Sequence, residues 1–532
     1  MADFLTKVQT VVTMPEQPPP GGVGAWAVQA GIKLDRGPFS FKRHEFLEEP
    51  YADEHPQQVD IKATQSGNTT EALLSSIYAG VYRGFVGVLY LFPSAKGVGD
   101  FSRTRVSPLF DRNPDTIGKY VRDTDAVGVK RIKDCNLLFR GVRSKESIVS
   151  DPVDRVVVDE KDLMPEGVDD IARERLAHSD FRWWKELSNP SIPDFGVDKT
   201  YKLSDGRRWL LRCPRCNGWT DPVSEWERNA KPDERGLPDL IWERKDGSVV
   251  LRCMKCREGV LDPAIGQWVA QRPGVTAWRG RQYSQLFSQY VPLSDIVDRY
   301  LHATSLQAVY NFKLGLAYIE SSNRLSEEEV LALCGSHGVA ASDPGPCYIG
   351  VDQGKHLHTL ILRRDTGAIV HLGVYKEWEE LDPLIENFHI ARGVVDGMPE
   401  ARAARDLAKR HVLNDMPKIY LCQYDENMRG DYAWNDARMS VKVNRTESLD
   451  GSQGKVRKKD VFLPKQCEIV EDFARHMHNT AKKLEDSEKN GVVSQRYVYV
   501  KLGPDHFAHA YNYACIAAYG APSSYFDGAD LR

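Results

Sequence analysis

Two cysteine pairs, Cys213-Pro-Arg-Cys216 and Cys253-Met-Lys-Cys256, stand 36 residues apart in a chain of 532 residues. Four thiolates at this spacing satisfy the tetrahedral preference of Zn²⁺ and leave no open position, so the centre they imply is structural rather than catalytic. A redox dithiol would need no matched second pair. The other six cysteines, Cys135, Cys334, Cys347, Cys422, Cys467 and Cys515, are scattered singly and read as small buried hydrophobes of a reducing compartment.

A second kind of chemistry is written at Lys62-Ala-Thr-Gln65-Ser66-Gly67-Asn68-Thr69-Thr70-Glu. A standard phosphate loop cradles phosphate with its backbone amides, reaches the terminal phosphates with a lysine and holds magnesium with a hydroxyl. Here Asn68 stands where that lysine normally sits. Gly67 keeps the turn, Thr69 keeps the hydroxyl, and Lys62 could reach back over the phosphates. An ordinary glycine turn before a helix would read much the same. About 90 residues on, Arg155-Val-Val-Val-Asp159-Glu160 reads as an apolar strand ending in two acids. Asp159 would hold magnesium and Glu160 would orient or activate the attacking water; a buried strand capped by solvated acids is the bland alternative. The polar turn Ser188-Asn189-Pro190-Ser191, after an expected aromatic helix over 181–187, could sense a γ-phosphate.

The third constellation is acidic. Gly350-Val-Asp352 and Val394-Val-Asp396 are strands that end in a carboxylate, and Asp505-His506-Phe-Ala-His509 opens a last helix, with His506 and His509 one turn apart on one face. Each acid alone is more simply a surface carboxylate. Brought together, such residues can hold two divalent cations for phosphodiester hydrolysis, as in an RNase H-like site. His356 and His358 read as alternating strand-edge residues and are left out of the ligand set. Lys442, Arg445, Lys455, Arg457, Lys458 and Lys459 flank a Gly/Ser-containing segment that suits a mobile loop touching phosphates.

The elements that must position these groups alternate strand and helix. Apolar strands are expected at 86–92, 137–139 and 156–158, with a helix over 69–81, the βα rhythm of a mostly parallel sheet. Residues 206–270 interrupt it as an inserted module. Tyr283 to Leu314 reads as helical and returns the chain to the first domain. A second α/β region opens at Cys347. The domains expected are therefore a flexible N-terminal arm over 1–38, a first α/β domain over 39–330 with the cysteine module inside it, a linker over 331–346 and a second α/β domain over 347–532. At 41% hydrophobic and 27% charged residues the chain can bury substantial cores. The net charge of -4 argues against a wholly basic nucleic-acid binder. No basic-then-apolar leader and no run of roughly 18 apolar residues is present, so secretion and membrane insertion are not expected.

Taken together, PFSFKRHEFL at 38–47, KATQSGNTTE at 62–71, VVVDE at 156–160, SNPS at 188–191, the CPRC and CMKC pairs, YNFKLGLAY at 310–318, GVD at 350–352, VVDG at 394–397 and DHFAHA at 505–510 resemble the lambda gpA-like large subunits of phage terminases. The resemblance runs from Phe39 to Tyr513. It implies a P-loop ATPase of the ASCE type with an inserted zinc ribbon, followed by an RNase H-like α/β nuclease. ATP with Mg²⁺ would bind at Lys62, Gln65 to Thr70, Asp159, Ser188 and Asn189, with Glu160 catalytic. Asp352, Asp396 and Asp505 would carry the nuclease metals, Mg²⁺ or Mn²⁺, with His506 and His509 as partners. The displaced lysine matches this family's variant loop and supports Lys62. The family also implies translocation of viral double-stranded DNA into a procapsid and cutting of the concatemer. It implies a pentameric ring on the portal protein, a small terminase subunit as partner, and residence in the host cytoplasm with transient docking on the procapsid and absence from the mature virion. A trans-acting arginine is expected, with Arg103, Arg140 and Arg143 as candidates. Two other functions share parts of the pattern: a zinc-ribbon, transposase-like nuclease without ATPase, and a helicase-nuclease of DNA repair, which would need a second motor domain.

Overall fold

Apolar runs without polar alternation become central strands buried on both faces, the signature of a parallel sheet. In the computed structural model, which describes residues 20–142, 148, 152–229, 234–489 and 492–519, the chain forms two units, Met1–Tyr318 and Ile319–Arg532. No helix among the described residues is long and apolar enough to cross a membrane.

The first unit is built on an eleven-stranded sheet. Its strands are β1 (Gln57–Ile61), β2 (Gly87–Phe92), β3 (Val121–Ala126), β4 (Val129–Ile132), β5 (Cys135–Gly141), β6 (Arg155–Asp159), β7 (Trp183–Ser188), β8 (Arg207–Arg212), β9 (Trp219–Thr220), β10 (Gly266–Ala270) and β11 (Arg279–Gln282). They lie in the order β9-β8-β11-β1-β7-β6-β2-β5-β4-β3, with β10 paired to β8. The run from β11 to β5 is parallel throughout. Every residue of β2 and β6 is buried.

Several expectations are corrected here. The span 1–38 is not a flexible arm over its described part: α1 (Gly22–Gln29) buries Val23, Trp26 and Ala27, and Trp26 packs on Tyr78 of α2 (Asn68–Tyr82), ring centroids 5.7 Å apart. Residues 181–187 contribute β7 rather than an aromatic helix. Seated between β1 and β6, this strand buries Trp184 and Leu187 together with Lys185 and Glu186; the charged residues disguise a strand whose burial is set by its neighbours. Residues 283–314 are not one helix, and what returns the chain to the sheet is β11, parallel to β1. The cysteine module is rooted in the sheet rather than merely inserted, since its span begins with β8 and ends with β10.

The second unit carries a seven-stranded mixed sheet. Its strands are β12 (Cys347–Gln353), β13 (Leu357–Arg363), β14 (Ile369–Tyr375), β15 (Ile390–Asp396), β16 (Ile419–Tyr424), β17 (Ala433–Asn435) and β18 (Ser440–Val443), in the order β14-β13-β12-β15-β16-β18-β17. Strands β12, β15, β16 and β18 run parallel. The unit begins before residue 331, because Leu325 and Val330 belong to its core, so the end of the first domain falls earlier than 330. The basic segment at 442–459 is no mobile loop either. It forms α3 (Arg445–Arg457), capped by the Asn444 side chain, which accepts from the Glu447 amide at 3.0 Å, and anchored by buried Leu449 and Val456. Helices α4 (Glu468–His478) and α5 (His506–Ala518) complete the core. Gly350 lets α5 lie directly on β12: a Cβ there would stand 2.0 Å from the Ala510 carbonyl oxygen.

Candidate functional site

β1 delivers the chain into the turn 62–67, which reverses at Gly67 (φ +91°) and enters α2. Thr64 and Gln65 face solvent at its crest, Gln65 in the left-handed region at φ 61°, while Asn68 is buried and accepts from Ser66 Oγ at 2.6 Å. The loop is tied down from several sides. The Lys62 amide donates to Ser188 O at 2.9 Å, and Asn189 Nδ2 donates to Lys62 O at 2.7 Å. The Ala63 amide donates to Tyr283 O at 3.1 Å, and the Thr64 amide to Phe312 O at 2.9 Å. The turn carrying Ser188 and Asn189 is itself fixed by Asp162, whose carboxylate accepts from the Ser191 amide and hydroxyl at 2.7 and 2.6 Å.

Lys62 turns its ammonium onto the end of β6: it lies 2.8 Å from Asp159 Oδ1, 3.0 Å from Glu160 Oε1 and 3.4 Å from Thr69 Oγ1. Burial alone would lower the lysine pKa, but Asp159 and then Glu160 outweigh it and raise it, so the ammonium stays charged. Tyr90 on β2 donates to the other Asp159 oxygen at 3.0 Å. Glu160 holds a left-handed conformation (φ 61°) that costs a non-glycine residue energy and aims its half-exposed carboxylate at the loop. Cation, hydroxyl and two carboxylates thus meet where two parallel strands end, an arrangement whose donors could hold phosphate oxygens and a divalent ion. Thr70 follows on the first turn of α2. Among the arginine candidates, Arg140 donates to Gly128 O at 2.7 Å, Arg103 pairs with Asp100 on the surface, and Arg143 lies outside the described residues.

The four thiols close into one cluster. All four sulfurs lie within 4.8 Å of one another, with Cys213 and Cys256 Sγ 3.8 Å apart and Cys216 and Cys253 Sγ 3.7 Å apart. Metal–sulfur bonds of about 2.3 Å in a tetrahedron require sulfurs ~3.8 Å apart, so the donor set fits zinc. The two knuckles repeat one geometry: the Cys213 and Cys253 amides donate to Gly218 and Gly259 oxygens at 2.8 Å, and the Gly218 and Gly259 amides approach Cys216 and Cys256 Sγ at 3.4 Å. Among the described residues this is the one group of three or more potential ligands gathered so closely.

In the second unit Asp352 and Asp396 stand at the ends of adjacent parallel strands, β12 and β15, with Val351 opposite Val395. Asp505 and His506 are brought to the same end by α5. The acids pair rather than form one tight cluster. Asp352 Oδ2 accepts from His506 Nδ1 at 2.8 Å; an ionised carboxylate only accepts, so Nδ1 carries the hydrogen. Asp505 lies 2.9 Å from Lys501 Nζ and 3.4 Å from His509 Nε2, and Tyr424 OH meets His509 Nδ1 at 3.2 Å. Burial would raise the Asp505 pKa, yet the bond and charge of His509 and then Lys501 hold it below its ordinary value. Asp396 goes the other way: burial first, then the Asp352 charge, push it up to about 6.

Residues 35–271 match the family described as "Phage terminase large subunit gpA, ATPase domain". That span, a little under half of the chain, is similar to the ATPase domain of phage terminase large subunits. Among solved structures, the large terminase of bacteriophage HK97 is similar at a TM-score of 0.53 and 11% identity, over 93% of this chain and 98% of that one, a likeness of fold. The large terminase of a thermophilic bacteriophage, in complex with ADP, aligns at a TM-score of 0.30 and 12% identity, over 86% of this chain and 93% of that one. No curated protein matches the chain.

The match supports an ATP-binding ATPase domain in the first unit, and the site at Lys62, Asp159 and Glu160 lies within the matched span. Two groups near the sites escaped the sequence reading. His358, set aside there as a strand-edge residue, is the cross-strand partner of Asp352 and stacks on the His506 ring, centroids 4.5 Å apart. His476 on α4 accepts from the Phe507 amide at 3.1 Å, and burial followed by the neighbouring His358 lowers its pKa to about 4. Only the strand register, which no motif carries, pairs His358 with Asp352. Tyr283, whose carbonyl holds the phosphate loop, lies in no motif, whereas Phe312 falls within YNFKLGLAY but its backbone role is not legible there.

Proposed function

We propose that this terminase large subunit is a two-site DNA motor: its first unit drives viral double-stranded DNA into a procapsid by ATP hydrolysis, and its second unit is an RNase H-like nuclease that cuts the concatemer. The observation that carries the motor half is the meeting of Lys62, Thr69, Asp159 and Glu160 beside the phosphate loop. In this reading Lys62 swings onto the terminal phosphates, Thr69 and Asp159 hold Mg²⁺, and Glu160 orients the attacking water. The ion would neutralise charge on the transferring phosphoryl group. Gln65, Ser66, Gly67 and Asn68 line the cradle with Thr70. Ser188 and Asn189, bonded to both backbone atoms of Lys62, would pass the presence of a γ-phosphate to the loop.

Support for the nuclease half is the placement of Asp352 and Asp396 on neighbouring strand ends with Asp505, His506 and His509 on the adjoining helix. Mg²⁺ or Mn²⁺ bound there would activate water and stabilise the leaving oxygen. The two carboxylate–histidine pairs, Asp352 with His506 and Asp505 with His509, orient the side chains, and Asp396, raised first by burial and then by the Asp352 charge, would be relieved by a bound cation. The four cysteines hold structural zinc in a zinc ribbon. As a packaging motor the protein works as a pentameric ring on the portal, receives DNA from a small terminase subunit, and acts in the host cytoplasm while docked on the procapsid.

The test is cutting of supercoiled plasmid by the purified chain in Mg²⁺ or Mn²⁺. Wild type should nick and linearise it and Asp352→Ala should not. Failure of wild type in either metal, with ATP turnover intact, overturns the nuclease half.

A further inference from the structure

The four-cysteine module sits against the ATPase site through the backbone that holds the phosphate loop. Ala63 and Thr64 donate not to their own helix but to the carbonyls of Tyr283 and Phe312, and Thr64 O accepts from Gln285 Nε2 at 2.9 Å. This return segment is broken into short helical pieces, Gln285–Phe287, Leu293–Leu301, Leu306–Val309 and Tyr310–Leu314, and Tyr283 itself lies outside them. Gly315 (φ +64°) lets it pass so close that a Cβ there would stand 2.1 Å from Tyr283 O and 3.3 Å from the Ala63 nitrogen.

The module packs against the start of this segment. Trp268, on the module's closing strand β10, packs edge-on against the Tyr283 ring, centroids 5.1 Å apart, and donates its indole N–H to Phe46 O at 2.7 Å. Phe46 packs in turn on Tyr283 and Phe287, at 6.1 and 5.2 Å. The next residue, Leu47, lies against Gly67, where a Cβ would stand 2.8 Å from Leu47 Cδ1. Trp268 is held by register opposite Trp209 on β8, the strand that runs directly into Cys213. Cys213, Cys253, Trp268, Tyr283 and Phe287 belong to one continuous buried core.

We propose that Trp268 and Tyr283 are positioning residues of the ATPase, and that the metal-bound cysteine module is a brace that sets the geometry of the phosphate loop. The proposal rests on the zinc assignment for its metal-dependent part alone. Interiors packed at crystal-like density transmit displacement instead of absorbing it. Loss of the metal frees the knuckles, loosens β8 and β10, and withdraws Trp268 from Tyr283. The amides of Ala63 and Thr64 then lose their fixed acceptors, and the nucleotide loses a preformed cradle.

The experiment follows amide hydrogen exchange and binding of a fluorescent ATP analogue on the full chain, with zinc release measured by a colorimetric chelator. After chelation, exchange at residues 62–68 should rise and analogue affinity should fall about tenfold, while exchange in β2 and β6 stays as it was. Trp268→Phe, which keeps an aromatic ring and removes the bond to Phe46 O, should weaken the analogue about fivefold with zinc retained. Zinc released with the loop and affinity unchanged overturns the brace, as does an equal rise of exchange throughout the sheet, the mark of a general stabiliser. A chain that never held zinc defeats the metal assignment, and Trp268→Phe then decides the brace alone: unchanged affinity overturns it.

Discussion

The two acidic sites of this protein solve the same electrostatic problem in opposite ways. At the ATPase site Asp159 and Glu160 share the ammonium of Lys62, a countercharge built into the chain. Among the described residues no lysine or arginine pairs with Asp352 or Asp396: Asp352 leans on a histidine, and Asp396 is pushed up to about 6, first by burial and then by the Asp352 charge. Adjacent carboxylates without a fixed cation repel one another, and a divalent ion bound there, as proposed, would relieve that repulsion. The first site is therefore compensated by a lysine within the chain, while the second keeps charge that a bound ion would relieve.

That contrast can be broken at its strongest point first. Lys62→Met removes both the phosphate contact and the countercharge of two acids, so steady-state ATP turnover should fall by about 10³-fold; turnover within tenfold of wild type would give the lysine role to another residue. Next, Gly350→Ala drives a Cβ into the Ala510 carbonyl and lifts α5, with Asp505 and His506, off β12. A loss of about 2–3 kcal/mol in denaturant unfolding of the second unit is expected.

A smaller effect of opposite sign sharpens the comparison. Because the folded-state pKa of Asp396 lies above its unfolded value, its contribution to stability declines as pH rises from about 4 to about 6 and stays low above that. In EDTA at pH 8, Asp396→Asn should therefore stabilise the protein by about 1–2 kcal/mol, and the gain should vanish near pH 4. Thermal melts at the two pH values check it, and a variant less stable than wild type at pH 8 would show Asp396 already compensated. Last, Asn189→Ala removes one bond to Lys62 O. Competition binding should show ATP affinity lowered by about threefold to tenfold.

The parts of this architecture that the sequence exposes are those set by local pattern. Arg155–Asp159 is read from its run of valines because a strand buried on both faces needs no alternation. The thiols are read from spacing because the metal geometry permits few arrangements. What stays hidden depends on partners distant in the chain. Trp183–Ser188 looks helical until β1 and β6 flank it and Lys185 finds Asp60 at 2.9 Å and Glu71. The glycines and serines around residues 448–454 suggest a loop, whereas burial of Ser448, Ser452 and Gln453 makes them the inner face of α3. His358 joins the Asp352 site through strand register, and Tyr283 reaches the phosphate loop with a carbonyl that every residue type possesses.

The central claim is that one chain carries two separate hydrolytic sites. The most direct measurement pairs ATP turnover with plasmid cutting in the same preparations of wild type, Glu160→Gln and Asp352→Asn. Glu160→Gln should lose turnover and keep cutting, and Asp352→Asn should lose cutting and keep turnover. Loss of both activities in either variant, or cutting that survives Asp352→Asn, would contradict the account.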